Sequence, residues 1–182
     1  WVMYTPANKK YWEKGVDYVN EAVYNYSLWN GEYPYNACTA IDGALSAGGG
    51  MEYPMVTVIG GVSSAKMLET VIVHEVGHNW FYGILGSNER DHAWMDEGIN
   101  SFVEILAEYK YDPELFPLSK YPKNIVGYMS GNQDQLSPIM TQGDNVFNFS
   151  SNAYAKPAAG LFMLRQTIMG TEMFDHAFKT YA

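Results

Sequence analysis

Cysteine is almost absent from this sequence: Cys38 stands alone. A disulfide within the chain is therefore excluded, and so is any metal site built on several thiolates. Basic residues are scarce too. Eleven Lys and Arg face twenty Asp and Glu, a net charge of −9, which argues against nucleic acid because its phosphates would be repelled. The same balance suits a cationic ligand, such as a free amino terminus. No long apolar run occurs. The most apolar stretch, Met67 to Leu85, carries Glu69, His74, Glu75 and His78, so no membrane span is expected. No signal peptide, internal repeat or low-complexity linker is visible, which leaves a soluble domain, cytoplasmic or exported. The chain opens on Trp1 and stops at Ala182 inside a helical pattern, and is expected to be a piece of a longer protein.

What is present is a globular sequence with enough apolar residues for a real core. Tyr11, Val16, Val19, Val23 and Tyr26 recur at steps of three to five, which predicts a covering helix over Ala7 to Leu28. Asn36 to Asp42 and Met55 to Ile59 read as strands, with the glycine run Gly48 to Gly50 before the second. Those glycines are no phosphate cradle, because neither Lys-Ser/Thr nor a helix follows them. Ser63 and Ser64 are candidate caps of a helix running to about Leu85, stopped by Gly86. A second helix is expected from His92 or Ala93 to Tyr109. Residues 113–150 read as irregular, near the site or over it. Ser151 to Gly170 is helical again, with Pro157 in its first turn and Tyr154 just ahead of it. Glu172 to Tyr181 ends the chain as a further helical pattern. The division expected is 1–62, helix and sheet, and 63–182, mainly helical.

The chemistry centres on His74-Glu75-Val76-Gly77-His78. Two histidines four apart on a helix share one face, so both imidazoles can reach one zinc ion. Glu75 can hold a metal-bound water. Eighteen residues separate His78 from Glu97, enough for the tail of one helix, a reversal and the first turn of an antiparallel partner. Glu97 then supplies a third ligand, and a fourth position stays open for water, the pattern of a catalytic site. Glu104 lies seven residues after Glu97, two turns along the same face, where it can orient a ligand histidine; Asp96 and Asn79 are weaker candidates for that role. His92 and His176 lack ligand spacing.

At this point the sequence resembles a known family, the gluzincin zinc aminopeptidases of the aminopeptidase N and leukotriene hydrolase type. Gly49-Gly50-Met51-Glu52 resembles the family's exopeptidase motif, usually GAMEN or GGMEN. HEVGHNW is similar to its zinc helix, WMDEGINSF to its WLNEG segment, and Tyr154-Ala155-Lys156 to its tyrosine-x-lysine motif. The four occur in the expected order across residues 49–156. The resemblance implies an α+β, thermolysin-like catalytic domain: a small mixed sheet, then a mainly helical lobe. It implies one zinc ion held by His74, His78 and Glu97, with Glu75 as general base and acid and Tyr154 stabilising the oxyanion. It also implies that Glu52 grips the α-ammonium of a peptide with a free amino terminus. Gly49 and Gly50 would approach the substrate through their backbone, and Met51 would shape the first side-chain pocket. Lys156 either helps to place Tyr154 or faces solvent.

Three positions depart from the family: Tyr53 and Asp96 stand where Asn is usual, and Pro157 where Gly or Ala is. The family's upstream β-rich domain and C-terminal helical domain are not in this sequence. Two alternatives are a metalloendopeptidase with the same zinc chemistry and a catalytically silent member that serves as a binding module. Intact ligands, base and tyrosine weigh against the second.

Overall fold

The protein was analysed as a computed structural model that describes residues 1–46 and 48–182, apart from the side chains of Lys120 and Pro122. Four short strands form one sheet in the order β1-β2-β4-β3: β1 Val2–Met3, β2 Thr39–Asp42, β3 Gly49–Met51 and β4 Val56–Gly60. The first three in that order run parallel, and β3 runs antiparallel to β4, with Gly50 opposite Ile59. The glycine run is thus itself the edge strand of the sheet. β1 and the start of β2 depart from the sequence expectation. Two residues carry no periodicity to read, and residues 36–38 precede the ladder.

The first helical segment is broken. α1, Lys9–Trp12, is followed by a turn at Glu13 and Lys14 and then by α2, Gly15–Asn30. A continuous helix over Ala7 to Leu28 would have buried Val16. Instead Val16 is 54% exposed, and Trp12, Tyr18, Val19, Ala22 and Tyr26 enter the core. The break rotates α2 relative to α1. At its start, a Cβ on Gly15 would sit 3.1 Å from Val2 Cγ1, so the first strand packs directly on this bend.

α3, Ala65–Gly77, is the central helix of the core. Ser64 caps it, its hydroxyl accepting from the Met67 amide at 3.0 Å. Leu68, Ile72, Val73 and Val76 form its buried face. It ends at His78, well short of Leu85. Beyond it the backbone widens: the Gly83 amide donates to His78 O, five residues back, and Tyr82 adopts φ +85°. A Cβ on Gly83 would meet Asn79 O at 2.4 Å, so only glycine fits this turn.

α4, Ile99–Tyr111, packs on α2 and α3 through Ile99, Phe102, Val103 and Leu106. It is preceded by a wide π turn, Trp94–Gly98. A second π turn, Ser151–Ala155, opens α7, Lys156–Met163. Tyr154 therefore lies on a helical turn, where the sequence placed it just ahead of one. Between α4 and this turn run short helices, including α5, Tyr121–Asn124, and α6, Val126–Met129. α8, Thr171–Tyr181, closes the core with Phe174 and Phe178 against Phe102. None of the described helices is long and apolar enough to cross a membrane.

The two π turns meet at Gly98. A Cβ there would lie 2.2 Å from Pro157 Cγ and 2.8 Å from Ala153 O. Gly98→Ala is accordingly expected to lower stability by about 1–3 kcal/mol through overpacking. Chemical denaturation measures it, and an unchanged midpoint would contradict this packing.

Candidate active site

α3 sets His74 and His78 one turn apart, with ring centroids 4.8 Å apart. Each ring directs Nδ1 at a carboxylate. His74 Nδ1 lies 2.7 Å from Glu104 Oε2, and His78 Nδ1 lies 2.7 Å from Asp96 Oδ1. A carboxylate oxygen accepts, so each Nδ1 carries a proton, and each Nε2 faces the cleft and Glu97. Glu104 and Asp96 thus stand where an orienting role requires. Asn79 does not: its amide touches neither ring and instead meets the Met55 amide and Val76 O.

The two Nε2 atoms are 3.1 Å apart, and Glu97 Oε2 sits 3.1 Å from one and 3.3 Å from the other. Metal–ligand lengths of about 2.0–2.1 Å give a tetrahedron edges of about 3.3–3.4 Å. The three donor atoms already stand close to that spacing, and the mixed nitrogen and carboxylate set suits zinc. The surroundings add a second reason for a cation. One carboxylate oxygen of Glu52 lies within 4.8 Å of donor atoms on Glu75 and His78, and likewise of Asp96 and Glu97. Among the described residues, Glu75 Oε2 is buried without a hydrogen-bond partner. A small cleft holding this many carboxylates calls for positive charge.

Charge and burial set the protonation of these groups. Burial by itself would lower the histidines. Hydrogen bonds to Glu104 and Glu97 outweigh it and hold His74 well above its ordinary value, and bonds to Asp96 and Glu97 lift His78 to about 10. Burial would raise Glu97, yet the two imidazoles hold it well below the usual carboxylate range. Glu75 has no such bonds. Burial lifts it to about 7 against the pull of both histidines, with Glu52 and Glu97 adding to the rise. Tyr154 is raised by burial first and then by the charge of Glu97, so its hydroxyl stays a donor. Its ring stacks on His74 at a centroid distance of 5.7 Å.

Gly50 explains how β3 comes so near. A Cβ on it would lie 2.3 Å from Glu75 Oε1, so glycine lets the edge strand press against that carboxylate. Gly49 takes φ +72°, a conformation glycine adopts freely. Together with Gly48, Val71 and Ser101, these glycines line a cleft of about 430 Å³ beside His74, Glu75 and Tyr154. Met51, next in the strand, is 37% exposed. Lys156 does not point into solvent: its ammonium donates to Ser137 O at 2.6 Å, anchoring the turn that carries Tyr154 to the segment before it. His92 and His176 are exposed and lie outside the His74, His78 and Glu97 cluster. Asn100, unnoticed in the sequence, donates from Nδ2 to His74 O at 2.8 Å. Only the tertiary pairing of α3 and α4 reveals it.

Comparison with known proteins places the chain in a family. Residues 23–182 match the Peptidase family M1 domain. Leukotriene A-4 hydrolase of Xenopus laevis is 29% identical over 143 residues, 73% of this chain and 24% of that protein. Aminopeptidase M1 of Arabidopsis thaliana is 25% identical over 124 residues, 65% of this chain and 14% of that protein. The chain therefore spans a quarter or less of the length of these two relatives. Among solved structures, an M1 zinc metallopeptidase mutant from Deinococcus radiodurans superposes with a TM-score of 0.72 at 20% identity, covering 90% of this chain and 36% of that one. Native yeast LTA4 hydrolase gives 0.72 at 21% identity over 98% of this chain and 31% of its own. The fold, a small sheet followed by packed helices, is shared with both.

With His78 raised to about 10 and His74 also raised, at least one imidazole proton must leave when a metal enters at neutral pH. Apparent zinc affinity is expected to rise by about tenfold per pH unit from pH 6 to 8, for one proton released. Competition with a chelator measures it, and a flat profile would contradict the protonation described.

Proposed function

The chain belongs to peptidase family M1, and on that footing we propose that it is the catalytic portion of a zinc aminopeptidase of thermolysin-like architecture, the unit spanning residues 1–182. The observation that carries the reading is the convergence of His74 Nε2, His78 Nε2 and Glu97 Oε2, with a Glu52 carboxylate oxygen on the rim of the same cluster. His74, His78 and Glu97 would hold one zinc ion. When bound, zinc supplies Lewis acidity: it polarises a carbonyl and makes water acidic enough to attack near neutral pH.

The remaining work falls to the chain's own groups. Glu75, lifted toward neutrality by burial, is suited to take a proton from the attacking water and to return it to the leaving amine. The Tyr154 hydroxyl, kept protonated, donates a hydrogen bond to the oxygen on which charge develops. Glu52 pairs with the substrate's α-ammonium and so limits the cut to the first residue. Gly49, Gly50 and Met51 flank the bound residue from the edge strand. Among the described residues no strand pairs with the outer side of that edge, so an extended peptide can lie along it. The substrates are therefore peptides with a free amino terminus, and the relatives' greater length implies further domains in the whole protein.

The test is a panel of free and amino-blocked peptides, run on the full-length protein. Glu75→Gln should lose about 10²- to 10⁴-fold in turnover while keeping its zinc. Glu52→Ala should keep zinc and lose preference for the free amine. Intact turnover in the first variant, or unchanged preference in the second, would overturn the assignment. Efficient cleavage of blocked peptides by the parent would make it an endopeptidase.

A further inference from the structure

Two buried asparagines tie α3 to its neighbours: Asn100 joins it to α2, and Asn79, just past its end, joins it to the β3–β4 turn. Asn100 is fully buried and lies three residues after Glu97. Its Oδ1 accepts from the Tyr26 hydroxyl at 2.8 Å, and its Nδ2 donates to His74 O at 2.8 Å. One amide thus satisfies a donor on α2 and an acceptor on α3. Asparagine has both functions, whereas Asp lacks the donor and Ala lacks both. The fit is tight. A Cβ on Gly77 would lie 2.0 Å from Asn100 Oδ1 and 2.3 Å from Tyr26 Cζ, so the glycine between the two histidines lets the bridge reach the helix.

Asn79 sits one residue past His78 and is 7% exposed. Its Oδ1 accepts from the Met55 amide at 3.0 Å, and its Nδ2 donates to Val76 O at 2.9 Å. Met55 closes the β3–β4 turn at φ +63°, three residues after Glu52. On the other side of that turn, the Thr57 hydroxyl donates to Met51 O at 3.2 Å. The hairpin that carries Glu52 is therefore fastened to the end of the metal helix through one side chain.

We propose that Asn100 and Asn79 are positioning residues with separate tasks. Asn100 fixes the span from His74 to Glu97, and hence the metal site. Asn79 fixes the span from the metal helix to Glu52, and hence recognition of the amino terminus. The second half rests on the aminopeptidase reading, and the first does not.

The test measures two quantities on the full-length protein and its variants. One is zinc affinity by chelator competition. The other is the affinity ratio between an amino-acid hydroxamate and its N-acetyl form. Asn100→Ala should weaken zinc binding about 10- to 100-fold and leave the ratio, at saturating zinc, unchanged. Tyr26→Phe removes only the hydroxyl facing Asn100 and should weaken zinc in the same direction; it decides the matter if Asn100→Ala does not fold. Asn79→Ala should keep zinc affinity and lower the ratio about tenfold. Asn79→Asp, which retains the oxygen facing Met55, should restore the ratio. The proposal is overturned if Asn100→Ala and Asn79→Ala shift both quantities together, or if neither shifts anything. A parent chain with no preference for the free amine would overturn the aminopeptidase reading and the Asn79 half with it. The Asn100 half would then stand or fall on zinc affinity alone.

Discussion

The structure depends on gathering negative charge around two imidazoles in a cleft mostly shut off from water. Glu97 sits between the Nε2 atoms, Glu104 and Asp96 hold the Nδ1 atoms, and Glu52 and Glu75 stand at the rim. Each carboxylate near the next raises the cost of ionising both. That cost is offset by the shared protons on the histidines in the metal-free protein, and a divalent cation would offset it further. The raised histidines, the depressed Glu97 and the neutral-leaning Glu75 are consequences of this one arrangement.

Holding such a cluster requires backbones closer together than side chains usually permit. Three glycines make the approaches. Gly77 admits Asn100 and Tyr26 to α3, Gly98 admits Pro157 next to Glu97, and Gly50 admits Glu75 against the edge strand. Pro157 and Asp96 are two of the three departures from the related family's motifs. Here each has a physical partner, Pro157 against Gly98 and Asp96 on His78. For Tyr53, 54% exposed beside Glu52, there is no such partner among the described residues.

Much of the clustering of His74, His78, Glu97 and Glu104 could be read from the sequence because helical periodicity is a local property. A spacing of four puts two histidines on one face, and a spacing of seven puts Glu104 on the face of Glu97. The strand Val56–Gly60 was legible from its β-branched residues. What escaped was set by tertiary contact. Two-residue β1 has no pattern, the end of α3 at His78 is followed by a turn that only Gly83 permits, and the π turns that carry Glu97 and Tyr154 lie where the chain packs closely at Gly98. Asn79 was misplaced for the same reason. Its closeness in sequence to His78 suggested the ring, but its side chain instead meets the Met55 amide and Val76 O.

The central claim is that His74, His78 and Glu97 form one zinc site with an open fourth position. X-ray absorption at the zinc edge on the metal-loaded protein addresses it directly. The account predicts one zinc per chain with only nitrogen and oxygen neighbours at about 2.0–2.1 Å, two of them imidazoles. A sulfur neighbour at about 2.3 Å, or zinc that binds equally well after His78→Ala, would contradict it.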